Sequence, residues 1–421
     1  MARLPESLDV LRTREFRLLF SGQAVSVLGD RMAVVALAFA VLEIGGSTSD
    51  VGLVLAAGAF PLVATVLAGG VVADRASRRA VMVAADLARV ASQGTMAALL
   101  IVGVAEVWML ALVAGVTGAA TGFFSPASTG LLPEVVLAEQ LQPANGLRAS
   151  AVSTGEILGP VVGGVLVAAA GAGWAIAIDA VTFAVSAACL AMLRVPTRVA
   201  AQRSSFVADL REGWVAFRSR RWVWTFVVYF AIVNVLWGAW GVLGPIVAER
   251  DLGGAAAWGT ILAAVGVGAL AGSLLATRVK PHRPLLLAAL ADGLFALPLA
   301  FMAAATSVPL IACGAALSGA GMALAISVWE SALQRHVPGE SLSRVSSYDW
   351  FGSLAFYPLG LAVWGPVAAV IGVSVSLWLA FGLAVFLTLA LISVPDIRHL
   401  PAAPSPATAA VGNPAESPTL L

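Results

Sequence analysis

The sequence predicts an all-α membrane protein of twelve spanning helices arranged as two six-helix bundles. Three observations carry that prediction. The 421 residues are 60% hydrophobic and 11% charged, with a mean hydropathy of +0.95. Soluble domains run near a quarter charged, so this much apolar sequence needs lipid as its solvent. Twelve apolar stretches are each long enough to cross a bilayer, which takes about 20 residues. The basic residues fall almost wholly on one side of those stretches, as the insertion of membrane proteins requires.

The spans are expected near 18–42, 51–73, 80–103, 107–130, 147–170, 174–194, 222–247, 256–277, 284–304, 308–330, 346–371 and 373–394. Arg3, Arg12, Arg14 and Arg17 precede the first span. Arg75, Arg78 and Arg79 follow the second, and seven arginines between Arg194 and Arg221 follow the sixth. Arg278, Lys280 and Arg283 follow the eighth, Arg335 and Arg344 the tenth, and Arg398 the last, whereas the opposite loops carry only Arg250. Both termini are therefore expected in the cytoplasm. The first apolar stretch lacks a small-residue cleavage site and is expected to stay as a membrane helix. Lys280 is the only lysine, and Ala, Gly and Val abound. That bias suggests a GC-rich bacterial gene and hence the cytoplasmic (inner) membrane.

The longest internal connection divides the chain into a six-helix bundle at 1–194, a cytoplasmic linker at 195–221, a second six-helix bundle at 222–395 and a disordered tail at 396–421. Phe206, Leu210, Trp214 and Phe217 recur at helical spacing in the linker, which predicts an interfacial amphipathic helix or a plain tether. The halves also match weakly. Leu132, Glu139, Leu141 and Gly159 recur 201 positions later as Leu333, Glu340, Leu342 and Gly360, and Gly69 and Arg75 find Gly272 and Arg278. A parallel repeat of six spans requires such an offset.

Between spans two and three stands Gly70-Val71-Val72-Ala73-Asp74-Arg75-Ala76-Ser77-Arg78-Arg79, with Asp86 and Arg89 in span three. Gly70 would let another helix approach, Asp74 would face a helix N-terminus, and the arginines would pair with acids or lipid phosphates. The result is a cytoplasmic latch, or else a solvated basic loop. Span five carries Gly146, Gly155, Gly159-Pro160 and Gly163-Gly164. Gly155, Gly159 and Gly163 share one face, which permits close packing, and Pro160 bends the helix. The loop resembles the G-x-x-x-D-R-x-G-R-R signature of the major facilitator superfamily, with Ser77 in place of its second glycine. Span five resembles that superfamily's antiporter signature, G-(x)8-G-(x)3-GP-(x)2-GG. Phe16-Arg17-Leu18-Leu19, Gly22-Gln23, Leu28-Gly29-Asp30, Phe124-Ser125-Pro126-Ala127 and Ile178-Asp179-Ala180 are similar to the branch holding macrolide-efflux proteins and enterobactin exporters. The resemblance implies the major facilitator fold, alternating access and export. It departs at span four, where those relatives carry a proton-coupling arginine and residues 107–130 hold no basic residue.

Ionisable residues inside the membrane are functional candidates because an unpaired charge there is costly. Asp30, Glu156, Asp179 and Asp292 are the candidates for proton coupling, with Asp30 the deepest. Arg31, beside Asp30, is expected to meet an acid on another helix and to line the substrate cavity. Tyr229, Asn234 and Trp237 in span seven either line that cavity or pack. Trp108, Trp174, Trp222, Trp258 and Trp378 lie near span ends and read as interfacial anchors.

Several functions are excluded. His282, His336 and His399 form no metal-ligand cluster, no Gly-rich stretch carries the Lys-Ser/Thr of a phosphate loop, and a net charge of +1 draws no nucleic acid. No enzyme activity, metal or cofactor is expected. The expected function is export of an amphipathic small molecule, a drug or a natural product such as a siderophore, in exchange for protons. The chain would act as a monomer in the bilayer. Import on the same fold and a non-transporting membrane sensor are the alternatives.

Overall fold

A computed structural model describes residues 10–195, 214–215 and 217–401, apart from the side chains of a few helical residues, Asp74 among them. Most of the linker and the tail beyond residue 401 lie outside the described residues. Among the described residues, twelve helices are long and apolar enough to cross a membrane. They are α1 (Arg14–Glu43), α2 (Thr48–Arg75), α3 (Arg78–Val102), α4 (Val107–Val135), α5 (Leu141–Ala170), α6 (Ala172–Ala191) and α7 (Arg221–Val247). They continue as α8 (Ala255–Ala276), α9 (Pro284–Ala303), α10 (Val308–His336), α11 and α12 (Val373–Ser393). α9 is interrupted by a 3-10 turn at Gly293–Phe295, directly after Asp292. α11 comes in two pieces, Gly339–Leu354 and Tyr357–Ile371, and the span proper starts at Phe351, later than the expected 346.

Local chemistry sets the helix ends. Ser47 and Asp50 form a reciprocal capping box at the start of α2. Ser77, where the superfamily motif has glycine, is the N-cap of α3 and accepts from the Ala80 N–H. α6 is held by charge at both ends. The Glu43 carboxylate accepts from the Ala172 N–H at 3.0 Å, while Arg79 donates to the carbonyls of Leu190, at 2.9 Å, and Ala191. Both contacts match the sign of the helix dipole.

Small residues fix how the helices meet, because in lipid close packing replaces the hydrophobic effect between helices. The repeat visible in the sequence recurs as equivalent contacts. A Cβ on Gly69 of α2 would collide with α4 at Gly122, and one on Gly272 of α8 with α10 at Ala320. Gly159 of α5 lies against Leu28 and Arg31 of α1, and Gly360 of α11 against Val235 of α7. The close approach at α2 is made by Gly69, and Gly70, expected to make it, faces open space.

The two six-helix halves touch through α5 with α8 and α2 with α11. Gly164 abuts Ala255, Gly259 abuts the Pro160 carbonyl, Gly52 abuts the Leu361 carbonyl and Gly365 abuts Thr48. All of these lie toward the arginine-poor end. Deepest is Gly266, against the Glu156 carbonyl. Pro160 has no N–H to offer that carbonyl, four residues back. Nearer the arginine-rich end, the glycines of these helices meet only their own half or, at Gly70 and Gly146, nothing within 4 Å. Among the described residues, the glycine contacts between the halves thus lie at mid-span and toward the arginine-poor end.

Gly159→Leu and Gly146→Leu separate packing from pattern. The first forces a side chain into the backbone of α1 and is expected to cost about 1–3 kcal/mol. The second enters open space and is expected to be neutral. Thermal unfolding in detergent checks this, and equal midpoints for the two variants would contradict the assigned packing.

Candidate functional site

The polar residues of α1 and α3 fall in stripes. Gln23, Ser26 and Asp30 on α1, and Asp86, Arg89 and Gln93 on α3, follow the spacing i, i+3, i+7 that places them on one helical face. The two stripes meet α6 inside the N-terminal half. Arg89, 1% exposed, donates through Nη2 to Asp86 Oδ1, and its Nη1 lies 3.9 Å from Asp30 Oδ2. Its guanidinium is clasped between the rings of Phe124 and Phe183, 4.2 and 4.3 Å from their centroids, a cation–π sandwich. Asp179 of α6 accepts from Gln93 Nε2 at 2.9 Å and from Thr182. Gly29 makes room for Asp179, since a Cβ there would overlap the Asp179 carboxylate and the Thr182 hydroxyl. Asp86 and Asp179 are fully buried.

The cluster therefore gathers three carboxyl groups around one guanidinium. Its net charge depends on how many protons it holds, and at low dielectric each uncompensated charge is felt strongly by the others. Asp30 is the member that remains reachable, with 41% of its side chain accessible.

A second pair lies alongside. Arg31 Nη2 donates to Glu156 Oε1 at 3.2 Å, joining α1 to α5, with 42% and 38% of the side chains accessible. Ionisable groups accessible at mid-span cannot face hydrocarbon cheaply, so Asp30, Arg31 and Glu156 face the space between the halves. Glu156 is also the residue whose carbonyl lies against Gly266 of α8, so this pair sits at the deepest of the glycine contacts between the halves. Nearer the arginine-rich end, Ser128 of α4 accepts from Gln23 at 2.6 Å and from Arg148 at 2.9 Å.

Other expected residues are elsewhere. Asp86 and Arg89, grouped by motif with the basic loop, belong to the buried cluster because they lie two to three turns into α3. Arg78 donates to the Gly130 carbonyl and to Glu134 at 3.1 Å, Arg79 caps α6, and Arg75 is exposed. The Asp74 side chain lies outside the described residues, so the latch stays an expectation. Tyr229 is not a cavity wall. It is buried in the C-terminal half, where its hydroxyl donates to Asp292 Oδ2 at 2.9 Å. Asp292 is 4% exposed. Asn234 donates to the Phe230 carbonyl of its own helix, and Trp237 stacks on Phe295 at 4.8 Å. Trp258, read as an interfacial anchor, is 2% exposed and packs on Trp240. Gln93, Gln23 and Arg148 were not singled out from sequence. The i, i+3, i+7 stripes were the signal that could have found the first two.

The profile of the Major Facilitator Superfamily matches residues 19–354. The chain belongs to that superfamily. As a member it is a multi-pass membrane transporter. Among its relatives, macrolide efflux protein A of Streptococcus pyogenes is 25% identical over 236 residues, covering 55% of this chain and 58% of that protein. The match thus spans little more than half of that relative's length. Multidrug efflux pump Tap of Mycolicibacterium fortuitum is 29% identical over 400 residues, covering 90% of this chain and 95% of the pump. The nucleoside transporter NupG superposes with a TM-score of 0.75 at 13% identity, over 90% of this chain and 99% of that one. A peptide transporter POT in complex with sulfate gives 0.73 at 12% identity, over 94% and 100%. These two likenesses are of fold alone.

Removing the guanidinium leaves three carboxyl groups without a cation among them. Breaking a buried pair from one side costs about 3–5 kcal/mol, so Arg89→Leu is expected to lower the thermal midpoint sharply. Asp30→Asn, at an accessible carboxyl, is expected to cost under about 1 kcal/mol. Equal losses in a melting experiment would contradict the assigned roles.

Proposed function

We propose that this transporter exports amphipathic small molecules, drugs or natural products, from the bacterial cytoplasm in exchange for protons. The observation that carries the reading is Asp30, an accessible mid-span carboxyl beside a buried guanidinium, in a protein whose glycine contacts between the halves lie away from the arginine-rich end. By the positive-inside rule that end is cytoplasmic, which puts both termini in the cytoplasm and the protein in the inner membrane, loading substrate from the cell interior. The names of the efflux relatives support the same direction and an amphipathic substrate.

In this reading Asp30 is the principal proton-coupled carboxylate. A proton neutralises it, and a cationic substrate entering the cavity competes for the same charge. Arg89 keeps the site from becoming an unbalanced cluster of anions while Asp30 changes state. Glu156 is the second candidate, though its ion pair with Arg31 already satisfies it. Asp292 is shut inside the other half and bound by Tyr229, and Asp179 is buried, so neither is placed to exchange with the cavity. Residues 1–194 and 222–395 act as the two rocking bodies, joined by the 195–221 linker, with α5 on α8 as one pivot and its accessible pair, Arg31 and Glu156, beside the substrate.

Everted membrane vesicles acidified inside and presented with a panel of macrolides and cationic dyes test the proposal. Uptake of at least one compound is expected to follow the pH gradient and to fall at least about tenfold in Asp30→Asn. Uptake confined to right-side-out vesicles would mean import, and undiminished exchange by Asp30→Asn would remove that residue from the mechanism.

A further inference from the structure

We propose, on the reading of the chain as an exporter with Asp30 in its substrate cavity, that Arg148 of α5 receives an acidic group of the transported molecule. The substrates are then amphipathic zwitterions, with a cation that meets Asp30 and a carboxylate or comparable anion that meets this guanidinium.

Arg148 lies seven residues before Gly155, on the face of α5 that packs on α1, where Gly155 meets Val27. Its Nη2 donates to the Ser128 hydroxyl of α4 at 2.9 Å, and the same oxygen accepts from the amide of Gln23 of α1 at 2.6 Å. Three helices thus meet at the guanidinium. Gln23 and Asp30 stand seven residues apart on one face of α1. That spacing puts this group of side chains about 10 Å from Asp30 along the helix, toward the arginine-rich end.

What the guanidinium lacks is an acid. Arg31, Arg78 and Arg89 of the same half pair with Glu156, Glu134 and Asp86. Among the described residues, no carboxylate pairs with Arg148, and the neutral hydroxyl of Ser128 is its one hydrogen-bond partner. A guanidinium carries five N–H groups, so most of its donors are unused. Ser128 is 5% exposed, whereas Arg148 is only half-buried. The charge is therefore anchored at one edge and reachable at the other. It stands two turns inside the start of α5 at Leu141, in a span where hydrocarbon cannot compensate it.

The repeat shows the same place closed. The offset of 201 residues takes Ser128 to Trp329 of α10 and Arg148 to Asp349 of α11. The contact is kept with its polarity reversed, since Trp329 Nε1 donates to Asp349 Oδ2 at 2.9 Å. Asp349 is 8% exposed. The C-terminal half thus holds an enclosed anion where the N-terminal half presents a reachable cation. The planar fork of a guanidinium suits a carboxylate or phosphate, which it binds through two parallel N–H bonds. One molecule carrying both charges leaves neither Asp30 nor Arg148 bare.

The probes are norfloxacin, with a basic piperazine and a carboxylate at opposite ends of a fused ring, and its methyl ester, which keeps the base and loses the acid. Binding to the full chain, purified in an uncharged detergent, is measured by equilibrium dialysis without a gradient. The acid is expected to bind about tenfold more tightly than the ester, and Arg148→Gln to bind the two alike. Ser128→Asp, which gives the guanidinium an internal carboxylate, is expected to remove the preference too and carries the test if Arg148→Gln fails to fold. Arg250→Gln, at the opposite end, should keep the preference. Equal binding of acid and ester by the unaltered chain, binding of neither, or a preference that survives either variant in folded form would overturn the proposal. So would phosphatidylglycerol binding that both variants abolish while acid and ester bind alike, which would give Arg148 to lipid. Export is judged separately. Asp30-dependent uptake of the ester by everted vesicles, with no preference for the acid in binding, leaves the exporter and removes the anion site. An Arg148-dependent preference in binding, with uptake only into right-side-out vesicles, keeps the anion site and reverses the direction.

Discussion

A guanidinium held 1% exposed inside a membrane span has to be compensated where it lies, because water cannot reach it and hydrocarbon offers nothing. Arg89 meets that demand with Asp86 on its own helix, Asp30 on α1 and two aromatic faces. The demand organises the surrounding half. α1 must bring Asp30 close, Gly29 must be bare so that α6 can approach, and Gln93 must hold the third carboxyl, Asp179, in a fixed orientation. What is left adjustable is the proton count of one accessible carboxyl, which is the quantity that the proposed exchange varies.

The second constraint is the absence of a hydrophobic force between helices in lipid. Contact depends on how closely backbones approach, so glycine positions decide where the molecule is closed. Gly164, Gly259, Gly52 and Gly365 draw the halves together at the arginine-poor end. Among the described residues, the glycines nearer the other end serve their own half. The deepest contact is Gly266 on the carbonyl that Pro160 releases, one helical turn from the proline and on the residue that pairs with Arg31. Packing and charge meet at Glu156, whose carbonyl lies against α8 and whose carboxylate pairs with Arg31.

Much of this was legible in the chain. The span count follows from apolar length, the superfamily from the loop and span-five motifs, and the pairing of Arg31 with an acid on another helix from the cost of leaving it bare. The face formed by Gly155, Gly159 and Gly163 packs as its spacing requires. What escaped was three-dimensional. Arg89 was grouped with the basic loop because motif order suggested it, and only the depth of α3 shows that it is buried. Tyr229 was left between cavity wall and packing because an aromatic beside polar residues in a span can face either way, and Asp292, over sixty residues away, is what holds it inward. Gly70 and Gly69 are indistinguishable in sequence, and the crossing of α2 with α4 selects the second.

The central claim is that the protonation state of Asp30 sets which end of the cavity is open. Spin labels at Gly146→Cys on α5 and Thr277→Cys on α8, in a chain whose Cys189 and Cys313 are replaced by Ala, report the separation of the halves toward the arginine-rich end, and their distance distribution can be followed across pH without any substrate. The distribution is predicted to shift with pH in the otherwise unaltered protein and to become pH-independent, fixed at its acid-side form, when Asp30→Asn is added. A pH-dependent shift that survives Asp30→Asn would contradict the account.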